Sequence, residues 1–302
     1  MRIGIIGLGN ICEKAYLPVI TAIEGIEIVF CTRNKEKLNS LSKKYRVSEA
    51  VSTVDELISR NIDAAFVHTS TESHVNIIET LLKNNIHVYV DKPISYSYED
   101  SIRVSKLAKD ANKILMVGFN RRFAPMYSNL KNYVNPSVIK LEKNRVNSPK
   151  DSIVFVLDDF IHVIDTLRFL SSDDIETINV NGSKKDGLIY NLVVTMTTKN
   201  TTCIAMMNRD SGANEEELEY TSSGKKVIVK NLMDSKILIN NVEENIRFKD
   251  WDTILYRRGF ESIINEFIRA VESGIQPNPT IEDALKTHKI CDEILKKIDE
   301  IQ

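Results

Sequence analysis

Three groups of residues in this chain of 302 residues have the types and spacing to do chemistry. Near the start, Gly7-Leu8-Gly9 follows the apolar run Ile3-Gly4-Ile5-Ile6 and precedes a helical stretch. A strand, a glycine turn and a helix in that order let backbone approach a pyrophosphate, which then sits at the helix head. Farther on, Asp91-Lys92-Pro93 ends the apolar run at 86–90. Ligands of open parallel sheets bind beyond the carboxyl ends of the strands, so Lys92 stands where chemistry would occur. Third, Asp158 precedes His162 by four residues, which puts both on one face of a helix. A carboxylate beside an imidazole orients the ring and keeps it able to exchange protons near neutral pH. On spacing alone, a structural pair bracing the helix accounts for the same two residues.

The elements needed to position these groups are legible around them. Helices are expected at 12–23 (with Pro18 as a kink), 35–45, 55–59, 75–83 and 98–110, and strands at 26–30, 63–67, 86–90 and 114–118. This alternation predicts a doubly wound Rossmann domain over 1–119. Thr69 and Glu72 have the spacing of a capping box, and His74 falls in the first turn of the helix they open. An NAD site carries an acidic residue near the end of the second strand; here the chain reads Cys31-Thr32-Arg33-Asn34-Lys35. Thr32 and Arg33 suit a 2′-phosphate, favouring NADP over NAD, although Arg33 could equally cover an adenine or begin a solvated helix.

From residue 120 the pattern changes to an α+β domain over 120–302. A strand at 138–141 leads through a polar loop at 143–152 into the helix of Asp158 and His162, where Asp165 and Arg168 have ion-pair spacing. Strands then follow at 175–180, 190–197, 202–207, 217–222, 226–229, 236–239 and 245–248, with turns at Asn181-Gly182, Asp186-Gly187 and Ser223-Gly224. They predict a large, mainly antiparallel, open-faced sheet. Helices at 256–273 and 281–298 close the chain. Lys and Arg number 40 against 42 Asp and Glu, which gives no pointer to nucleic acid or an anionic membrane. Four dispersed cysteines suit a reduced cytoplasmic protein and offer no metal-ligand spacing, and no apolar stretch is long enough for a membrane span.

The ordered set Gly7-x-Gly9, Thr69-x4-His74, Asp91-Lys92-Pro93, Val117-Gly118-Phe119-Asn120-Arg121-Arg122-Phe123, Asp158-x3-His162-x2-Asp165 and Tyr256-x2-Gly259-Phe260 resembles the Gfo/Idh/MocA oxidoreductases. The resemblance runs over nearly the whole chain. It departs at Asp91, where the family usually has Glu, and at Cys12, usually Gly or Ala. It implies a catalytic set of Lys92, Asp158 and His162. For the cofactor it adds Asn10, Ile11, Thr69, His74, Asp91 and Lys92 to Gly7, Gly9, Thr32 and Arg33. Lys92, Asn120, Arg121, Asp158, His162 and Tyr256 would meet the substrate. The implied function is NAD(P)-dependent oxidation or reduction of a secondary alcohol on a sugar, polyol or related compound, by a homodimer or homotetramer built through the second domain's sheet. Two other readings fit the fold: a catalytically silent nucleotide sensor, and a redox-assisted glycosidase that retains its cofactor.

Overall fold

The computed structural model describes residues 1–171 and 173–300, in two compact units. The first comprises Met1–Gly118 and Phe260–Lys286. Its strands β1 (Arg2–Ile6), β2 (Glu27–Cys31), β3 (Glu49–Val51), β4 (Ala64–Val67), β5 (His87–Val90) and β6 (Leu115–Val117) form one parallel sheet. Their order, β3-β2-β1-β4-β5-β6, is that of a doubly wound dinucleotide fold. Strand β4 is wholly buried, as a central strand covered on both faces must be, and its run of Ala and Val residues around Phe66 reflects that.

Helices α1 (Leu17–Ile20), α2 (Lys35–Tyr45), α3 (Val54–Ile58), α4 (Thr71–Lys83) and α5 (Tyr98–Asp110) connect the strands. A wide π turn over Cys12–Tyr16 leads into α1, and Pro18 falls just after it. The looser ladder there accommodates a residue with no N–H to give. The capping box expected at Thr69 is not formed: Ser70 is the N-cap of α4 and makes no side-chain cap bond. A reciprocal box stands instead at α3, between Thr53 and Glu56.

The boundary expected at 119 marks only the end of the first segment, because α9 (Phe260–Ser273) and the start of α10 (Ile281–Ile298) belong to the first unit as well. The cause is aromatic packing. The ring of Phe260 lies 5.4 Å from Tyr16, and Phe267 lies 5.0 Å from Phe66 and 5.6 Å from Tyr89, in edge-on geometries that stabilise beyond the area they bury.

The second unit holds Phe119–Gly259 and Thr287 onward. Its eight strands run β14-β13-β12-β11-β7-β10-β9-β8, antiparallel except for the β7–β10 pair. They are β7 (Pro136–Asn144), β8 (Thr177–Lys185), β9 (Leu188–Thr197), β10 (Thr202–Asn208), β11 (Glu215–Ser222), β12 (Lys225–Lys230), β13 (Asp234–Ile239) and β14 (Val242–Ile246). Asn181-Gly182 is not a turn: it lies within β8, and a side chain on Gly182 would strike Asn191 on β9. The hairpin turns at Asp186-Gly187, both in the left-handed region. Helices α6 (Pro125–Ser128), α7 (Ile161–Ser171) and α8 (Ile254–Arg257) complete this unit.

Asp165 of α7 takes the fork of Arg122 at 2.8 and 2.6 Å and the hydroxyl of Thr287 at 2.8 Å. Arg168, expected to pair with Asp165, donates to that same Thr287 hydroxyl at 2.8 Å. Arg122 and Asp165 are both buried. Asp165→Ala should therefore cost about 3–5 kcal/mol in denaturant unfolding, because it strands a buried guanidinium. Asp165→Asn, which keeps an acceptor for Thr287, should cost less; a loss below about 1 kcal/mol in the alanine variant would contradict the assignment.

Candidate active site

At the carboxyl end of the first sheet lies a cavity of about 790 Å³, lined by Gly7, Leu8, Gly9, Thr32, Arg33, Lys37, Thr53, His68, Thr69 and Ser70 among others. Gly7 has φ +85°, and a Cβ there would sit 2.7 Å from the His68 carbonyl carbon and the Thr69 nitrogen. The fold itself therefore demands glycine at this position. Gly9 is different: a Cβ there would meet only the His68 carbonyl oxygen, at 3.9 Å. The protein leaves the space over Gly9 open. Asn10 and Ile11, both exposed, begin the helical turn beyond it.

At the far side of the cavity, β2 ends without an acid. No carboxylate stands among the lining residues. Arg33 is exposed and has no hydrogen-bond or ion-pair partner among the described residues. Lys37, which the sequence reading did not single out, donates to the Leu8 carbonyl at 3.0 Å and lies 3.7 Å from Glu13. Its signal was its place in the first turn of α2, just after Arg33 and the end of β2.

Beside the cavity a polar network fixes the turn that carries Lys92. Tyr16 donates to Asp91 Oδ1 at 3.0 Å, so its contact with Tyr89 at 2.9 Å is donated by Tyr89. His68 Nδ1 donates to Asp91 Oδ2 at 3.2 Å. Burial alone would raise the Asp91 carboxyl, but the His68 bond and the charges of His68 and Lys92 outweigh it and hold the pKa below its ordinary value. Burial pushes both tyrosines well up, so they remain neutral donors. Gly118 belongs to the same arrangement, since a Cβ there would lie 2.8 Å from the Tyr89 hydroxyl and 3.1 Å from Asp91. Asp91, shorter than the family's usual Glu, thus has both oxygens engaged by the protein. The Lys92–Pro93 peptide is cis. His74 is buried, with one ring nitrogen on the Pro93 carbonyl and the other on that of Thr69.

In the second unit, Asp158 lies in a π-helical segment, Val154–Phe160, which passes directly into α7 and His162. The expected single helix is therefore two, and the wide turn leaves Asp158 half-buried and His162 buried. The next residue, Asp159, anchors that segment. It accepts from Lys143, from Arg145 at 3.1 and 3.2 Å, and from Arg209 at 3.3 Å. Arg209 also donates to the Ser148 carbonyl and hydroxyl. Lys143, expected in a loop, is buried on β7.

Among the expected substrate residues, Asn120 donates to the Arg258 carbonyl at 2.8 Å. The fork of Arg121 is taken by Glu216, at 2.9 and 2.8 Å. Tyr256 is half-buried in α8 beside Phe248. Charges scattered over helical turns, strands and loops gave no sign of the Asp159 and Glu216 clusters, because local periodicity does not reveal which cation meets which anion.

Residues 1–119 match the family described as oxidoreductase, NAD-binding Rossmann fold (GFO_IDH_MocA), and residues 125–240 match the YceM-like C-terminal domain. A dehydrogenase (MviM) structure from Clostridium difficile is 35% identical, with a TM-score of 0.94 over 98% of this chain and 99% of that one. A Gfo/Idh/MocA family oxidoreductase structure from Vibrio cholerae is 30% identical, with a TM-score of 0.94 over 99% of this chain and 98% of that one. The chain belongs to the Gfo/Idh/MocA oxidoreductase family. A further relative, the myo-inositol 2-dehydrogenase of Thermotoga maritima, is 26% identical over 94% of this chain and 92% of its own. The first unit fits the dinucleotide that this family binds: a Cβ on Gly9 would fill space the protein leaves open, and cations rather than carboxylates stand beyond β2.

The Asp159 cluster makes stability depend on pH in two windows. Burial would raise the Asp159 carboxyl, but Lys143, Arg145 and Arg209 outweigh it and hold the folded value well below the unfolded one. Its contribution is fully present above the ordinary carboxylate range and is lost as pH falls below that range toward the lowered folded value. Burial, helped by Arg121, pushes the Lys143 amine down to about 7 against the pull of Asp159 and Glu216. Between that value and the ordinary lysine range the unfolded chain holds the extra proton, so stability rises with pH there. Asp159→Asn should lower stability at neutral pH by about 3–5 kcal/mol and flatten the acid limb, while Lys143→Met should remove the alkaline rise. Curves of unfolding free energy against pH that match the parent would contradict both.

Proposed function

We propose that this chain is an NADP-preferring oxidoreductase that moves hydride between nicotinamide and a secondary alcohol of a sugar, polyol or related hydroxylated compound. The observation that carries the cofactor half is the end of β2, where Thr32, Lys37 and the unpartnered Arg33 line the cavity and no carboxylate does. A guanidinium pairs bidentately with a phosphate, whereas the bare ribose of NAD is served by an acid at this place. Gly7, Gly9, Asn10 and Ile11 serve the pyrophosphate side. Thr69, Asp91 and Lys92 serve the reactive end, with His74 acting through the backbone of Thr69. When bound, the cofactor supplies the hydride chemistry, and the protein supplies placement and proton handling.

In the oxidation direction His162 takes the proton of the substrate hydroxyl. Lys92 donates a hydrogen bond to that oxygen and offsets the negative charge developing on it. Asp158 orients the imidazole and accepts from a second hydroxyl. Asn120 and Tyr256 shape the substrate's surroundings; Arg121, with its fork on Glu216, braces them. The relative that is a myo-inositol 2-dehydrogenase supports a polyol-like substrate. A homodimer or homotetramer would use the partly exposed face of the second sheet, where residues such as Val138 and Leu188 reach solvent.

Quenching titrations with NADPH and NADH test the cofactor reading. NADPH should bind more tightly, and Arg33→Ala should remove most of that advantage, a loss of about tenfold or more for a charge-assisted bidentate contact. Equal or tighter NADH binding would contradict it. Lys92→Ala and His162→Ala should each reduce turnover of a polyol by about 10²-fold or more with NADPH binding retained, and near-parent rates in either would remove that residue from the chemistry.

A further inference from the structure

The glycine turn has three carbonyl oxygens, and each accepts from a donor inside the protein. The Gly7 oxygen takes the Gly9 N–H at 2.9 Å, and the Gly9 oxygen takes the Glu13 N–H at 3.0 Å. The Leu8 oxygen takes a side chain instead, the Lys37 ammonium at 3.0 Å. Lys37 reaches it from the first turn of α2, 29 residues along the chain. Its backbone is set by the cap of that helix, where the Asn34 side chain accepts from the Lys37 N–H at 3.0 Å. Its Nζ also lies 3.7 Å from Glu13 Oε2, and Lys44 stands 3.7 Å from the other oxygen of that carboxylate. The Leu8 side chain is buried and anchors the middle of the turn.

A carbonyl oxygen carries partial negative charge, so one left uncovered beside Gly9 would repel a pyrophosphate seated there. An ammonium on that oxygen offsets the repulsion and brings a positive charge to the cavity that Leu8 and Lys37 both line. We infer that Lys37 is a positioning residue for the pyrophosphate turn: by clamping the Leu8 carbonyl it strengthens the binding of NADH and NADPH alike, whereas Arg33 serves the 2′-phosphate alone. This rests on the reading of the cavity as the dinucleotide site, and not on its preference for NADP. The pyrophosphate is common to both nucleotides, so a defect in the turn that receives it must cost both.

The sequence supplies a direct probe, because Leu8-Gly9 is its only Leu-Gly pair. Protein labelled with ¹³C at leucine carbonyls and ¹⁵N at glycine nitrogens therefore gives one carbonyl–nitrogen correlation, that of the Leu8 carbonyl. Lys37→Met keeps the aliphatic stem and loses the donor; Lys37 is half-exposed, so the variant keeps the fold. In it the Leu8 carbonyl carbon should move upfield, as a carbonyl does on losing a hydrogen bond. Dissociation constants for NADH and NADPH, read by quenching, should both rise about tenfold for the loss of a charge-assisted bond, with their ratio kept within about twofold of the parent. An unmoved Leu8 signal would overturn the clamp, even with both affinities lowered. A moved signal with parent-like NADH binding, or a loss confined to NADPH, would overturn the role in positioning. A parent protein that binds neither nucleotide would sink the cofactor reading and this inference with it, whereas one that prefers NADH would sink the NADP preference alone.

Discussion

A hydrogen atom on Gly7 stands where any side chain would collide with the backbone of His68 and Thr69. That contact joins the turn after β1 to the turn after β4, and the first unit's chemistry is arranged around it. From β1 come the glycine turn and Tyr16; from β4 come His68 and Thr69; from the adjacent β5 come Asp91 and Lys92. His68 and Tyr16 then share the two oxygens of Asp91, so three strand ends are tied through one carboxylate. The turn that carries Lys92 is thereby held through its neighbour Asp91.

The second unit solves its positioning problem with buried ions. Arg122 and Asp165 fasten α7 to the segment that opens the unit, with Thr287 of α10 bonded to the same carboxylate. Asp159 fastens the wide turn before α7 to the ends of β7 and β10 through three cations. Buried pairs add little net stability over apolar packing, but breaking one leaves a charge without a partner. Their value here is geometric: the π-helical segment bearing Asp158 and the helix bearing His162 are gripped from several sides by directional contacts.

Much of this was legible in the sequence. Helices α2, α5 and α10 lie where apolar periodicity put them, and the parallel sheet follows from β/α alternation. The glycine turn and the missing acid after β2 could be read directly. What escaped was nonlocal or depended on ladder geometry. Asn181-Gly182 has the composition of a turn, yet pairing with β9 carries the chain straight through it. Thr69 and Glu72 have capping-box spacing, but Ser70 takes the N-cap position and the Thr69 carbonyl faces His74. The π segments over Cys12–Tyr16 and Val154–Phe160 have no distinct periodic signature. The return of Phe260 and Phe267 to the first unit depends on aromatic partners about two hundred residues away in sequence. Asp165 and Arg168 matched a local rule, while the arginine fork on Asp165 came from Arg122.

The central claim is that the first unit binds NADP through Gly7, Gly9 and the cations beyond β2. A crystal structure of the protein grown with NADP⁺ tests it most directly. The account predicts the pyrophosphate over Gly9 and the ribose phosphate against Arg33, with Lys37 beside it. Density for the ribose phosphate pointing to solvent, away from both cations, would contradict the preference for NADP, and an empty cavity at saturating NADP⁺ would contradict the site itself.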